Sequence, residues 1–400
     1  MSPLGRMRFG SFIAPFHEPT ENPTLALERD LELVQWLEYL GFDEVWIGEH
    51  HTAGWETISS PEVFIAAAAE RTRHITLGTG VIGLPYHHPF IVADRMVLLD
   101  HLTRGRVIMG VGPGSLPTDA LMLGIDPAVQ RRRMDEAMDV IMRLLTDLKP
   151  VTHESDWFTL REAVLQLRPY TDPHFPVAVA ASRTPAGMVL AGKHGLGVLS
   201  PGAIPEGGTT ADLKEFWAIA EETAAEHGKT MDRGQWRLGT VAHLADTKDD
   251  AIEQVRAKAG RWIRHYHEMT IGREPLDVPE DKIIDHMVDT GAWCIGTPDD
   301  MIALIERLQE LSGGFGSFFV QDGEMASREQ TMHSYELVAR YVMPRFQGSL
   351  VGLEASQSWS AGKLSEIADA RDRAVSRANR DYTPPGSRRG AGRQEPAGGL

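Results

Sequence analysis

The sequence contains a short apolar run that ends in titratable side chains: Phe42-Asp43-Glu44-Val45-Trp46-Ile47-Gly48-Glu49-His50-His51. Its middle, from Val45 to Ile47, is β-branched and aromatic, which predicts a buried strand. Polar groups at the carboxyl end of a buried strand are typical of enzyme sites in α/β proteins. A solvated loop or a structural hydrogen-bond cluster fits this stretch equally well when it is taken alone, so its context decides.

Strand-like and helix-like segments alternate on both sides of this run. Eight strands are predicted, each followed by a helix, with the second inside the run just described and the other seven at residues 8–13, 75–81, 106–111, 176–181, 197–200, 235–244 and 316–320. This count predicts a (β/α)8 TIM barrel, with a doubly wound open sheet as the alternative α/β fold. The barrel is favoured because no dinucleotide-binding fingerprint follows the first strand.

Two polar insertions interrupt the alternation: residues 151–176 after strand four, with a short possible hairpin around Trp157, and residues 270–289 after strand seven. The helix after strand seven is predicted over residues 251–268, with Trp262 and His265 on one face at i, i+3.

We predict a barrel domain over residues 1–346 and a C-terminal extension over residues 347–400. The extension has a plausible charged helix from Trp359 to Asn379. After about Tyr382 it is rich in Pro, Gly, Ser and Arg, which is typical of disorder.

Composition narrows the class of protein. The chain has 400 residues and a formal charge of −16, which argues against a nucleic-acid or anionic-membrane partner. Its single cysteine, Cys294, excludes an intrachain disulfide and fits a reducing compartment. Neither a signal peptide nor a membrane-spanning apolar run is evident. We therefore expect a soluble, acidic, cytoplasmic protein.

The carboxyl ends of barrel strands meet at one rim, and this rim is where a barrel enzyme places its site. Here it is rich in histidines, glycines and hydroxyls. The candidate residues are Phe12, Glu49, His50, Gly80, Val81, Tyr86, His88, Gly112, Ser115, Ala181, Ser182, Arg183 and Thr184.

Three chemistries compete for this rim. A metal site is disfavoured, because adjacent histidines on an extended strand point to opposite sides and His50-His51 is a poor chelate. A Ser–His nucleophile pair would need a strained Gly-x-Ser-x-Gly turn, which is absent. A phosphate-bearing cofactor fits Ser182, Arg183 and Thr184 before a helix, although ordinary helix capping explains the two hydroxyls as well.

Four ordered segments resemble the bacterial luciferase-like flavin monooxygenases. They are Gly41–Trp46 with Glu49–His51, Leu77–Gly80 through His88-Pro89, Leu98–Asp100 through Gly110, and Gly296–Pro298 with the helix after it. The resemblance covers roughly residues 7–346, and the opening residues 9–17 look closest to the limonene monooxygenase-like branch.

The resemblance implies a (β/α)8 barrel that uses reduced FMN or FAD and O2, through a C4a-peroxyflavin, to oxygenate a small or medium apolar substrate. It also implies a separate NAD(P)H:flavin reductase and a homodimer formed through the helices after strands two and three. His50 looks like the catalytic histidine of the family, with Glu49 beside it, and a proton-transfer role suits an imidazole.

Cofactor and substrate positions are implied in the same way. Gly80-Val81 resembles the cis, non-proline bulge beneath the flavin ring, and the loop at Ser182 resembles the phosphate loop. Gly112 and Ser115 after strand four and Ala181 after strand five complete the expected cofactor site. Phe12, Tyr86, His88 and Trp262 are the expected substrate pocket.

Two alternatives stay open from the sequence. The same barrel serves deazaflavin F420-dependent oxidoreductases, which transfer hydride without O2, and a non-catalytic flavin-binding protein is also compatible. One departure bears on the cofactor: where luciferases carry a phosphate-binding arginine after strand four, this chain has Pro113. Arg183 is a candidate substitute, and the choice between FMN and FAD is left open.

Overall fold

A closed barrel of parallel strands forms the centre of the molecule. The computed structural model describes residues 5–14, 16–181, 184–200 and 213–382, apart from the side chain of Asp322. The barrel strands are β1 Arg8–Ile13, β2 Glu44–Ile47, β3 Thr76–Thr79, β4 Val107–Gly112, β5 Val177–Ala180, β6 Gly197–Ser200, β7 Trp236–Leu244 and β8 Ser317–Asp322. They pair in the order β7-β8-β1-β2-β3-β4-β5-β6, and β6 pairs with β7 to close the ring. The predicted TIM barrel is confirmed.

Helices surround the barrel. They are α1 Pro23–Leu40, α2 Pro61–Arg71, α3 Pro89–Thr103, α4 Pro117–Met122, α5 Gln130–Thr146, α6 Pro185–His194, α7 Leu213–Glu226, α8 Lys248–Arg261, α9 Ile283–Asp289, α10 Pro298–Ser312, α11 Arg328–Leu337 and α12 Met343–Gln347. Many begin at a proline, whose fixed φ suits the first helical turn. Gly41, Gly195 and Gly313 follow α1, α6 and α10 in the left-handed conformation, which glycine adopts at low cost.

Apolar side chains form two layers. One fills the interior of the barrel, and the other lies between the barrel and the surrounding helices. Trp46, Phe12 and Phe319 belong to the cluster that fills the barrel interior, and Trp46 is fully buried. Val45 and Ile47 alternate with Trp46 and belong to the layer beneath the outer helices. This alternation follows from the two-residue period of a strand. It fixes which residues after β2 reach the rim.

Both predicted insertions contain regular structure, and the second includes α9. The first carries an antiparallel hairpin, Val151–Glu154 with Thr159–Ala163, around Trp157 as expected. The helix predicted to continue to Glu268 instead ends as an α-helix at Arg261 and continues as a π-helix, Trp262–Thr270. A short parallel strand, Cys294–Gly296, which was not predicted, extends the sheet beside β7.

The chain divides into two compact units, residues up to 347 and residues from 348 onward. The second unit consists of α13 Val351–Gly362 and α14 Leu364–Asp381, and neither helix has a buried residue. Residues 383–400, where we expect disorder, lie outside the described residues. Within the described part of the chain, no helix is both long and apolar enough to cross a membrane.

Candidate active site

A large cavity opens at the carboxyl ends of the barrel strands, with a volume of about 1060 Å³. Most of the residues singled out from the sequence line it together: Phe12, Glu49, His50, Gly80, Val81, Tyr86, Ser115, Ala181, Thr184 and Trp262. They come from five strand ends and from the π-helix after α8. Such convergence follows from the parallel barrel, because every strand points its carboxyl end at the same rim.

His50 lies between two carboxylates. Its Nε2 is 2.7 Å from Glu56 Oε2, and its Nδ1 is 3.0 Å from Asp119 Oδ2. Glu56 comes from the loop after β2, whereas Asp119 comes from the short helix α4 after β4. The two acids are nearly inaccessible, with 4% and 1% of their side chains exposed, and His50 is 13% exposed. The imidazole is therefore held from both nitrogens at the cavity wall.

The two carboxylates determine the protonation state of His50. Burial of the imidazole opposes its protonation, but attraction to Glu56 and the hydrogen bond to Asp119 outweigh that effect and raise the pKa of His50 to about 10. The hydrogen bonds from His50 and Thr52 in turn hold the pKa of Asp119 below its usual value, against the effect of burial. These contacts favour the protonated imidazole at neutral pH.

Glu49 points away from this pair and accepts hydrogen bonds from two other histidines. His51 Nε2 and His87 Nε2 lie 3.0 and 2.8 Å from Glu49 Oε1, and the Gly83 amide donates to Oε2 at 3.4 Å. Burial favours the neutral acid, yet these hydrogen bonds keep the pKa of Glu49 below its usual value. Glu49 is thus an anchored carboxylate beside His50.

The peptide bond between Gly80 and Val81 is cis, as the family resemblance implied. Both residues face the cavity. Space around them is tight: a Cβ at Gly80 would lie 2.9 Å from Phe12, and one at Gly112 would lie 2.6 Å from Val81 Cγ2. Gly112 does not line the cavity itself but lies behind Val81, so its lack of a side chain gives Val81 room.

The loop after β4 is fastened to the loop after β3. Gln130 Nε2 donates to Tyr86 Oη and to the Pro113 carbonyl, both at 2.9 Å. Gly114 takes a positive φ of 87° against the Tyr86 ring, where a Cβ would overlap the phenol. Burial and the nearby Asp119 carboxylate raise the pKa of Tyr86 to about 12, so the phenol stays protonated.

The beginning of α6 borders the cavity through Thr184, Ala186 and Gly187. Thr184 precedes the helix, and its side chain makes no capping hydrogen bond. The first amides of this helix therefore have no side-chain acceptor at the cap. Ala181 lines the cavity just before them, whereas Ser182 and Arg183 lie outside the described residues.

An aromatic wall comes from the π-helix. Trp262 and Tyr266 lie on one face and both contact Phe16 edge-on, at centroid distances of 4.9 and 4.6 Å. Burial and the neighbouring Glu56 raise the pKa of Tyr266 well above its usual value. The wider turn of a π-helix is frequent at functional sites. The indole Nε1 of Trp262 is buried without a hydrogen-bond acceptor among the described residues.

His88 is placed elsewhere than expected. It is exposed, its Nδ1 accepts a hydrogen bond from the Phe90 amide at the start of α3, and its ring packs on Phe158 of the hairpin. It does not line the cavity, because the residue before a proline-led helix serves as the cap. His88 is therefore not part of the cavity wall.

Several cavity residues were missed by sequence reasoning. Glu56 and Asp119 carry the charge around His50, Tyr266 shares the aromatic wall, and Arg131 lines the cavity from the beginning of α5. Asp119 follows a Gly-Pro-Gly turn after a strand, which was a usable signal for the rim. Nothing in the sequence pairs it with a histidine 69 positions earlier.

Comparisons with known proteins agree on one family. The luciferase-like monooxygenase family model matches residues 7–313. Limonene 1,2-monooxygenase of Rhodococcus erythropolis is 50% identical over 348 residues, 87% of this chain and 88% of that protein. The 4-hydroxyprotoasukamycin monooxygenase of Streptomyces nodosus subsp. asukaensis is 48% identical, over 90% of this chain and 97% of that protein.

Solved structures share the fold. A monooxygenase from Streptomyces bottropensis superposes with a TM-score of 0.75 at 24% identity, over 85% of this chain and all of that one. The oxygenating constituent of 3,6-diketocamphane monooxygenase from Pseudomonas putida, solved with FMN, superposes with a TM-score of 0.72 at 24% identity. The match covers 86% of this chain and 99% of that one. With the identities above, the chain belongs to the luciferase-like monooxygenase family and is an oxidoreductase.

Proposed function

We propose that this protein uses reduced flavin and O2 to oxygenate a small or medium apolar organic substrate. One observation carries the proposal: a single cavity brings together His50 between its two carboxylates, the Gly80–Val81 cis peptide and the start of α6, where the Thr184 side chain makes no capping hydrogen bond. In this proposal His50 supplies a proton and the cis peptide forms a flat, close-packed floor. The start of α6 supplies hydrogen-bond donors for a phosphate. Relatives at 48 and 50% identity over most of the chain are named monooxygenases.

The cavity fits a flavin in size and lining. Its volume of about 1060 Å³ accommodates a cofactor and a substrate together, since ligand sites commonly span roughly 300–1,000 Å³. Phe12, Val81 and Trp262 give apolar surface to a planar ring. The P. putida structure named above contains FMN in the same fold, which supports FMN first and FAD second.

A phosphate group would lie at the start of α6. Ala186 and Gly187, in the first turn of α6, border the cavity there, and a helix N-terminus attracts an anion. Arg131 also lines the cavity and has no hydrogen-bond or ion-pair partner among the described residues. We propose Arg131 as the cation that Pro113 does not supply. Ser182, Arg183 and Thr184 remain proposed members of this phosphate loop.

We expect Arg131→Ala to weaken FMN binding about 10- to 100-fold, because a hydrogen bond to a charged group contributes about 1.5–3 kcal/mol. Riboflavin, which lacks the phosphate, should bind both proteins alike. Arg132→Ala is the matched control, since Arg132 pairs with Asp156 at 2.7 Å and does not line the cavity. Fluorescence titration measures the FMN and riboflavin affinities of the wild type and of both variants. An equal loss for riboflavin would show that Arg131 shapes the cavity instead.

Within the reaction, the residues of this chain bind, orient and exclude water. Reduced flavin, when bound, would supply the electrons that activate O2. His50, held protonated by Glu56 and Asp119, can deliver a proton to an oxygen atom in the cavity. Trp262, Tyr266 and Phe16 would keep water from the reacting centre, and exclusion of water protects reactive intermediates.

Two partners belong to the proposal. A separate NAD(P)H:flavin reductase would deliver reduced flavin, as suggested by a relative of 25% identity named as an oxygenase component. A homodimer through α2 and α3 is supported by apolar side chains on their outer faces, where Val63, Leu98 and Leu102 are 71%, 50% and 56% exposed. A particle mass of 44.2 kDa in sedimentation velocity, which is the mass of one chain, would remove the dimer from the proposal.

Anaerobic titration with reduced FMN, reduced FAD and reduced F420, followed by mixing with O2, tests the cofactor assignment. We expect reduced FMN or FAD to bind and its reaction with O2 to be altered by the protein. Solved F420-dependent enzymes share this fold at a TM-score of 0.64, so binding of F420 alone would move the chain to hydride transfer. Binding of none of the three would overturn the proposed function.

A further inference from the structure

Glu49, His51 and His87 bring three metal-ligating atoms together beside the cavity. Glu49 Oε1 lies 3.0 Å from His51 Nε2 and 2.8 Å from His87 Nε2, and all three atoms are within 4.8 Å of one another. We propose that these residues form a binding site for one divalent transition-metal ion of the Zn²⁺ class.

This arrangement was not foreseen from the sequence, and the reason is geometric. The neighbouring histidines His50 and His51 point to opposite sides, as expected for an extended strand end: His50 turns toward Glu56 and Asp119, while His51 turns toward Glu49. The second imidazole comes from the loop after β3. Because β2 and β3 are adjacent parallel strands, their carboxyl ends bring His51 and His87 to the same carboxylate.

The distances are close to those of a bound ion. With bonds of about 2.1 Å, neighbouring donors around a tetrahedral ion lie about 3.4 Å apart. The two carboxylate–imidazole distances of 3.0 and 2.8 Å are about half an ångström shorter than this separation, and the two imidazole nitrogens lie within 4.8 Å of each other. Each now donates its Nε2 proton to Glu49, and the metal would take the place of both protons.

The ligands are also oriented by their surroundings. Glu49 Oε2 accepts the Gly83 amide, and the His51 amide donates to Asp119 Oδ1 at 3.1 Å. The His87 amide donates to the Leu84 carbonyl at 3.1 Å. Hydrogen bonds of this kind hold metal ligands in place. The rings of His51 and His87 are 19% and 20% exposed, so an ion and its remaining water ligands can reach the site from solvent.

Donor type selects the ion. Two imidazole nitrogens and one carboxylate suit Zn²⁺, Co²⁺, Ni²⁺ or Cu²⁺, whereas Mg²⁺ and Ca²⁺ prefer oxygen ligands alone. A second group, His17, Asp30 and Glu324, also lies close together among the described residues. It is unsuitable, because Arg29 already places a guanidinium on Glu324.

The test compares two neighbouring histidines. We expect flavin-free, EDTA-treated protein to bind one Zn²⁺ per chain by calorimetry, and His87→Ala to weaken that event at least tenfold. His88→Ala, which removes an exposed imidazole outside the cluster, should retain it. Added Zn²⁺ should raise the Tm of the wild type and of His88→Ala but not of His87→Ala, since a ligand specific for the native state stabilises it.

Co²⁺ provides a second readout that does not depend on stability. Its visible absorption on binding should be lost in His51→Gln as well as in His87→Ala, provided that circular dichroism shows both variants folded. Unchanged Zn²⁺ affinity in folded His87→Ala would overturn the proposal, and so would the absence of binding to the wild type. The site requires no flavin, so its failure leaves the proposed function standing.

Discussion

His50→Gln should lower turnover by about 100-fold or more while leaving flavin affinity within about threefold, because general acid catalysis typically contributes about 10²–10⁴ in rate. Glutamine fills a similar volume but cannot carry a proton at neutral pH. Its amide can still contact Glu56 or Asp119, so the wall of the cavity should keep its shape. Single-turnover oxidation of substrate with preloaded reduced flavin measures the effect without the reductase.

The matched control is His265→Gln. His265 belongs to the same π-helix that supplies Trp262, but it is exposed and does not line the cavity. The His265→Gln variant should turn over substrate at the wild-type rate. If His50→Gln lost flavin affinity while each bound flavin still reacted normally, His50 would be a binding residue and the assigned proton transfer would be wrong.

The carboxylates around His50 give a further expectation from the same geometry. Glu56→Gln removes one negative charge at 2.7 Å from Nε2, which lowers the pKa of His50 from about 10 toward its ordinary value. Turnover that needs the protonated imidazole should then fall off at a lower pH than in the wild type. The profile is measured with EDTA present, so that no metal ion perturbs the cluster. An unchanged alkaline limb would remove Glu56 from the proton-transfer group.

Much of this site was predictable because it depends on strand ends. The alternation of strands and helices located the rim, and His50 follows a strand whose apolar run is unmistakable. The family resemblance, rather than local sequence, implied the cis peptide at Gly80-Val81. In contrast, Glu56 reaches His50 from a loop and Asp119 from the short helix α4. The loops at this rim are set by tertiary contacts such as the Gln130 bridge between Tyr86 and Pro113.

The other limit concerns regular structure that changes type. Helical periodicity predicted a helix through Glu268, and the chain is helical there, but the change to a π-helix at Trp262 alters which side chains share a face. Sequence spacing placed Trp262 with His265, whereas the structure stacks the Trp262 and Tyr266 rings nearly parallel, at 6°. A period of 3.6 residues carries no signal for this change.

The largest stability effect should come from the opposite end of the barrel. Arg237 and Glu44 are 1% and 2% exposed, and Arg237 Nε lies 3.1 and 3.0 Å from the two Glu44 oxygens. Ser317 also donates to Glu44, and the guanidinium lies 5.1 Å from the centre of the Trp46 ring. Arg237→Met should cost about 3–5 kcal/mol, because removing one partner leaves a buried charge uncompensated.

A double-mutant cycle separates this pairing from ordinary loss of packing. Arg237→Met and Glu44→Gln should each destabilise, and the double variant should lose less than the sum of the two, since contacting residues couple. Arg71→Met is the control: it breaks an exposed pair with Glu28 and should leave the free energy of unfolding nearly unchanged. Additive losses in urea unfolding would mean that the two side chains act independently.

The same ion pair also predicts how the stability of the protein changes in acid. Burial favours neutral Glu44, but Arg237, Arg8 and the Ser317 hydroxyl outweigh it and keep the pKa of Glu44 below its usual value. In the unfolded chain the Glu44 carboxyl titrates at about pH 4.3. Below that pH the unfolded chain therefore binds a proton that the native protein does not. The contribution of the pair is therefore complete above that range and is lost as pH falls. The wild type should lose stability on acidification more steeply than the double variant, and equal slopes would show that Glu44 is not the group responsible.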